Sequence, residues 1–446
     1  MKFKKYLKNC FINYRFINGF IIRMSFLILF QKYEKEFKEF TFLENNIKNP
    51  SFIITNGLYL IKKLINPYIY LENYHENFLL SIFYIFNLLN ENITKLLNIL
   101  FDILISLQIE LFLTLKENNK LKNKKSICFI LYNFYKSDKY SFHSILYLFN
   151  PIIIYLNIIG LSDCFLFSLF LIILILIEMN LFFISAILYS ILIQCKLYTI
   201  IYLHILYVYI IFKFNKVDKN IKIQNFYKKE NLKKIFKYFI CYQANFFIMI
   251  FIQSFLINVF ITFCLFGSSF LYKYYLYNFF NYSYYISNHL SISIYTYPLS
   301  MISFTLLYNI IFILIYIKEV FILYIFRFLV FYINFVSTLL INTLIHFSFN
   351  KEIFIFQIYW IFSIFSLKKI TIKFLYYIIL EIFLFILKIL IIYKIDFLGE
   401  NYLLENWIIN CIIFSLHCTL IYYILNEEKN INNNNINNKN EIKYIK

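Results

Sequence analysis

Apolar runs and short polar breaks alternate along most of the chain. Runs of about 20 residues are long enough to cross a hydrocarbon core ~30 Å thick. Phe11 to Phe30 is the first, interrupted by Arg15 and Arg23. It reads as a signal anchor following a basic start, Met1 to Lys8. Residues 32–76 are polar and form a long connection. Asn77 to Leu89 is apolar but short, which suits an interfacial or re-entrant segment. Leu96 to Leu115 is a span that carries Asp102 and Glu110. From Ser126 to Phe212 the apolar character is nearly unbroken, with room for about four crossings. Phe239 to Tyr272 is a further run. More spans are expected near 299–317, 320–345, 353–367, 370–393 and 404–425. The pattern predicts an all-α polytopic membrane protein with about 10–12 transmembrane helices.

Four regions follow from this pattern. Residues 1–31 are a basic segment with the first membrane helix, and 32–76 are a first luminal loop. Residues 77–425 are a multi-span domain. Residues 426–446 form an Asn-rich tail that is expected to be disordered.

Composition agrees with the pattern. Of 446 residues 61% are hydrophobic and only 15% charged. That charge is too little to cover a water-facing surface, so a soluble enzyme and a secreted disulfide scaffold are both excluded. Aromatic residues reach 23%, and 40 Lys stand against three Arg. Ile, Asn, Lys, Tyr and Phe share AT-rich codons, so the aromatics read as lipid-facing and packing residues. The net charge of +19 suggests nucleic acid at first sight. Its placement argues otherwise: 116–125 holds five Lys and 213–237 holds nine. Both are connections between apolar runs, where the positive-inside rule expects cytoplasmic loops. No nucleic-acid partner is implied. The eight Cys form no C-x-x-C, so neither a zinc site nor a disulfide framework is expected. No cofactor and no metal are expected.

Candidate chemistry is sparse. There is no P-loop, no H-E-x-x-H and no G-x-S-x-G. The five Asp (Asp102, Asp138, Asp163, Asp218, Asp396) contain no D-x-D, and 32–76 has no Asp. A transferase acting on a lipid-linked sugar needs a luminal carboxylate as base or metal ligand; Glu34 and Glu36 are the nearest imitation. Ionisable groups inside apolar runs are costly and therefore functional candidates, with interhelical pairing or snorkelling as the plain alternative. They are Asp102, Glu110, Asp163, Glu178, Lys196, Lys318, Glu319, Arg327, Glu381 and Lys388. Asn150-Pro151 inside an apolar run predicts a kink, because Pro frees a backbone carbonyl. Sequons stand at Asn92 and Asn281.

Several segments resemble a known family. Asn56-Gly57-Leu58-Tyr59-Leu60, Asn66-Pro67-Tyr68 and His75-Glu76 before an apolar run resemble the first luminal region of PIG-U, a membrane subunit of the GPI transamidase. Asn77-Phe78 stands where that family has T-P. Tyr147-Leu148-Phe149-Asn150-Pro151 resembles its Y-L-L-N-P. Ser162-Asp163-Cys164 and Gln194-Cys195-Lys196-Leu197-Tyr198 are similar to its next polar patch and Q-x-L-Y segment. Asn288, Tyr295 and Tyr297 are similar, more loosely, to its aromatic luminal stretch. The likeness covers roughly 32–300; beyond that only the span layout agrees.

The resemblance implies a glycosyltransferase-C-like membrane fold without its own catalytic centre. It implies a place beside the other transamidase subunits in the endoplasmic reticulum membrane, and a role in binding the GPI lipid. The residues it points to for that lipid are Asn66, Tyr68, His75, Glu76, Asn150, Asp163, Tyr295 and Tyr297. A related family competes: the GPI mannosyltransferase PIG-M, which uses dolichol-phosphate-mannose. Gly160-Leu161-Ser162-Asp163, Lys196-Leu197-Tyr198 and Phe349-Asn350-Lys351 followed by Trp360 are similar to its later segments. Members of that family carry a D-x-D in the first luminal loop. Its absence here ranks the non-catalytic subunit first.

Overall fold

The structure is a computed structural model that describes residues 14–32, 50–70, 91–120, 141–159, 163–214, 241–276, 334–349, 358–368, 371–398 and 400–444. Among these, 91% are helical and none is in a strand. Among the described residues five helices are long and apolar enough to cross a membrane: Ile93–Glu117, Leu197–Phe214, Tyr242–Phe266, Ile372–Ile392 and Leu403–Glu428. A sixth span is added if the bent pair Ser141–Leu148 and Pro151–Ile158 counts as one. The protein is thus an all-α polytopic membrane protein. Of the expected segments, Asn77 to Leu89, the run at 299–317, Lys318, Glu319, Arg327 and the sequon at Asn281 lie outside the described residues.

The chain divides into two compact units, Met1–Ile286 and Ser287–Lys446. In the first, α1 is Arg15–Lys32, α2 Pro50–Lys62, α3 Pro67–Tyr70 and α4 Glu91–Lys120. Then come α5 Ser141–Leu148, α6 Pro151–Ile159, α7 Asp163–Glu178 and α8 Phe182–Cys195. A 3-10 turn, Leu197–Tyr202, leads into α9, Leu203–Phe214, and α10 is Tyr242–Phe266. Two helices thus occupy the stretch expected as a bare luminal loop, because 50–62 is itself a 13-residue apolar segment, PSFIITNGLYLIK.

Two ion pairs set the register of α1 against α4. Arg15 donates from Nε and Nη2 to the two oxygens of Glu110, at 2.7 and 2.8 Å. Arg23 Nε donates to Asp102 Oδ2 at 2.7 Å. The acids and the bases share one spacing: Arg15 and Arg23 are as far apart in sequence as Asp102 and Glu110. The two helices therefore run antiparallel with both pairs in step. Gly19 lies between the two arginines, and a Cβ there would meet Leu148 Cδ2 at 3.2 Å. The close approach lets Arg23 Nη1 reach Leu148 O at 2.6 Å. The arginines read as interruptions of an anchor are the groups that fasten it.

The bend expected at Asn150-Pro151 is 53°. Its cause is local. Asn150 Oδ1 accepts from Ile152 N at 3.0 Å, so the Leu148 carbonyl loses the partner a continuous helix would give it. Arg23 supplies the replacement.

Hydrogen bonds fix which helix ends meet. The starts of α4 and α7 meet where Cys164 Sγ donates to Asn98 Oδ1 at 3.0 Å. The end of α8 meets the last turns of α10 where Gln194 Nε2 donates to Phe255 O at 3.2 Å. At the opposite end Lys213 Nζ donates to Ile177 O and Glu178 O at 2.6 and 2.8 Å, and Tyr209 O–H bonds Glu178. The Lys-rich stretches 116–125 and 213–237 both attach at this second end. One basic side is what the positive-inside rule requires.

In the second unit, α11 is Phe335–Phe349, α12 Ile358–Phe365, α13 Ile372–Phe397 and α14 Leu403–Tyr444. Buried polar groups join them. His417 bridges Ser348 Oγ at 2.8 Å and Glu381 Oε1 at 2.7 Å. Lys388 Nζ donates to Asn406 Oδ1 at 2.9 Å and Asn410 Oδ1 at 2.7 Å. These buried groups meet partners on neighbouring helices, as packing in lipid favours. The backbone of α14 runs on as helix to Tyr444. Lys368 pairs with Glu427 at 3.0 Å and Ser337 Oγ donates to Glu428 at 2.6 Å, which pins the helix beyond its apolar part. No Gly or Pro follows Gly399 to break it.

Candidate functional site

The resemblance points to eight residues, and the structure describes Asn66, Tyr68, Asn150 and Asp163. His75, Glu76, Tyr295 and Tyr297 lie outside the described residues. Three of the four come to the end of the first unit where α4 and α7 begin and α8 and α10 stop.

Asn66 follows a turn in which Ile65 N bonds Leu60 O at 2.9 Å. Its amide nitrogen donates to Phe266 O at 2.8 Å and to Ser269 Oγ at 3.2 Å. Its oxygen accepts from Tyr68 N at 3.0 Å, the local side-chain turn that Asn favours. One residue thus shapes the turn and moors it to the last turn of α10. Gly267 makes that mooring possible: it ends α10 at φ 69, a conformation a side chain disfavours, with its N–H on Phe263 O. Tyr68 is fully buried. Its ring stands edge-on to Phe266 and Phe270 at 5.2 and 5.3 Å. Tyr274 stacks on Phe270 at 5.5 Å and its hydroxyl donates to Gln194 O.

Gln194 leads to the second group. Past Lys196, Thr199 Oγ1 donates back to Lys196 O at 2.8 Å, and Tyr189 O–H donates to Thr199 O at 2.8 Å. This folds the 3-10 turn so that Tyr198 O–H donates to Asp163 Oδ1 at 2.9 Å. Asp163 is buried at the first turn of α7, where the helix dipole favours a negative charge. Its neighbour Cys164 bonds Asn98, whose amide nitrogen donates to Asn157 O at 3.3 Å. Asn157 Nδ2 in turn donates to Asp102 Oδ1 at 2.5 Å. Ring contacts from Tyr68 through Phe270 to Tyr274, separate hydrogen bonds and the backbone between them thus link the Asn66 turn, the α8 end, Asp163 and the Asp102–Arg23 pair.

Asn150 is placed differently. It caps α6 at the bend, and its side-chain oxygen is occupied there. Tyr68 and Asn66 are likewise engaged with the protein itself, as frame residues of the turn. Spacing alone did not disclose Tyr198, Tyr147, Asn98, Asn157, Arg15 and Arg23 as parts of these networks. Tyr147 and Tyr198 do sit inside the segments that carried the resemblance. The matched spacing of the two Arg and the two acids was a further signal. Among the described residues no group of three His, Cys, Asp or Glu is arranged to hold a metal ion.

The model of the family described as GPI transamidase subunit PIG-U matches residues 17–283. The match takes in more than half of the 446 residues and nearly coincides with the first compact unit, Met1–Ile286. No curated protein matches the chain. The match favours the transamidase subunit over the mannosyltransferase, and it contains Asn66, Tyr68, Asn150, Asp163 and the helices that hold them. The chain belongs to the PIG-U family of GPI transamidase subunits.

Proposed function

We propose that this chain is a non-catalytic membrane subunit of the GPI transamidase, and that it helps the complex hold the GPI lipid while anchors are attached to proteins in the endoplasmic reticulum membrane. The observation that carries the reading is that Asn66, the α8 end and Asp163, each held by hydrogen bonds, gather at one end of the first unit. A GPI lipid needs an apolar wall for its acyl chains and polar groups for inositol phosphate and glycan. The buried cluster of Tyr68, Phe270 and Tyr274, with Phe266 packed against it, holds the Asn66 turn in place, and the exposed apolar side chains near the end of α10 supply apolar surface beside it. In this reading Asn66, Tyr68 and Asn150 shape the site, and Asp163 with Tyr198 presents a polar pair. His75, Glu76, Tyr295 and Tyr297 are candidates on the family resemblance alone. The partners are the other subunits of the complex and the GPI lipid.

The test combines two measurements. Affinity purification from native membranes is expected to recover the other transamidase subunits. Depletion is expected to leave uncleaved precursors of GPI-anchored proteins while complete GPI accumulates. Loss of an early mannosylated GPI intermediate, with the transamidase itself intact, would overturn the proposal and favour the mannosyltransferase.

A further inference from the structure

The turn that carries Asn66 and Tyr68 leaves apolar side chains outside. Leu64 is 97% exposed, Tyr70 69% and Ile69 63%. Leu64 also sits at φ 57, in the left-handed region that a side chain disfavours. A protruding Leu held in that conformation is unfavourable on two counts if water is its surroundings.

The level of the turn indicates other surroundings. Asn66 bonds the carbonyl of Phe266, the last residue of α10. That helix is a 25-residue candidate span with only 11% of its apolar window buried. Phe260, Ile261 and Leu265 point outward near its end, at 65, 51 and 59% exposure. The exposed residues of the turn thus lie beside the end of a lipid-facing helix and continue its apolar face. Lys62 and Lys63 sit immediately before Leu64, and Lys63 Nζ lies 4.4 Å over the ring of Tyr59, itself half exposed. Lys, Tyr and protruding aliphatic side chains together suit the boundary between acyl chains and headgroups. A protein interface selects against Lys at its core.

We propose that the turn from Tyr59 to Tyr70 is a membrane-surface anchor. It sets Leu64, Ile69 and Tyr70 into the bilayer boundary, with Lys62 and Lys63 over the phosphates of anionic lipids. The inference is independent of GPI binding, and its failure would leave that proposal standing.

The test is site-specific photo-crosslinking in the intact complex, in native membranes whose phospholipids carry clickable acyl chains. A benzophenone amino acid replaces Leu64, Ile69 or, as lipid-facing reference, Phe260. Co-purification with the complex confirms that each variant is folded. Lipid adducts at 64 and 69 are expected with yields comparable to those at 260. A protein adduct at 64 and 69, or no lipid adduct there while 260 is labelled, overturns the proposal. In a second arm, Lys62→Glu with Lys63→Glu is expected to lower the lipid adduct at 64 and leave that at 260 unchanged. An unchanged adduct at 64 overturns the assignment of the two lysines to anionic headgroups.

Discussion

Replacing Asp102 by Leu removes one carboxylate from the most buried ion pair of the first unit. Arg23 is 1% exposed and Asp102 0%. The carboxylate accepts from Arg23 Nε at 2.7 Å, Tyr147 O–H at 2.7 Å and Asn157 Nδ2 at 2.5 Å. In Asp102→Leu the guanidinium keeps Leu148 O but loses its counter-charge. Breaking a buried pair on one side costs about 3–5 kcal/mol. Leaving the two neutral donors without an acceptor adds about 1–3 kcal/mol each. The total rivals the whole stability of an ordinary domain, about 5–15 kcal/mol. The double variant Arg23→Leu with Asp102→Leu removes both charges and keeps the smaller penalties from Tyr147, Asn157 and the Leu148 carbonyl that Arg23 served. The double variant is therefore expected to be more stable than Asp102→Leu alone, by about 2–4 kcal/mol. The assay is a double-mutant cycle on the purified chain in mixed micelles, unfolded by increasing the fraction of denaturing detergent. Equal stability of the single and double variants would refute the reasoning. So would a cost of Asp102→Leu below about 1 kcal/mol, the range of an exposed pair.

Other predictions follow from the same contacts. Tyr198→Phe removes the donor to Asp163 and is expected to leave the complex assembled while uncleaved precursors accumulate; normal processing at normal abundance would separate Asp163 from function. Gly19→Leu forces a side chain against Leu148 and is expected to destabilise the unit by about 1–3 kcal/mol, measured by the same detergent unfolding. Asn150→Ala removes the cap of α6 and is expected to cost about 1 kcal/mol, whereas Asn150→Asp keeps an acceptor and should recover most of it. His417→Leu leaves Glu381 buried beside an apolar group, and a loss of about 3–5 kcal/mol is expected in unfolding of the second unit.

Much of the helix layout was legible because it rests on run length, and a bilayer fixes that length. The bend at Asn150-Pro151 was legible for a covalent reason, since Pro has no N–H to give. The donor that Leu148 O takes once Ile152 N turns to Asn150 was not, because Arg23 lies far away in sequence. The intramembrane acids were recognisable as costly groups, but which base answers each depends on helix order and register. Only the matched spacing of Arg15 with Arg23 and Asp102 with Glu110 encoded that register. The site was half legible. Asn66 declares its turn by standing before Pro, whereas the mooring of that turn to Phe266 O is a tertiary contact without a local signal. The contacts of Glu427 and Glu428 with Lys368 and Ser337 were not legible either, since they join residues far apart in sequence.

Most carboxylates in the described spans are engaged in holding helices together. A general base must keep a lone pair directed at substrate. Glu110 receives two bonds from Arg15 and a third from Ser144 at 2.5 Å. Asp102 receives three, Glu178 bonds Tyr209 and pairs with Lys213, and Glu381 faces His417. Each of these acids is joined to a group on another helix, so what it contributes is register and cohesion in a medium where an unmatched charge is costly. Asp163 differs in position, at a helix start, with the Tyr198 phenol as a donor. Under the proposed function it is the candidate acceptor for hydroxyl groups of a sugar or inositol. Asp163→Asn keeps an acceptor oxygen, so it should preserve lipid recognition far better than Asp163→Leu. Equal loss in the two variants would assign Asp163 a proton-transfer role and remove the main physical support for a purely binding subunit.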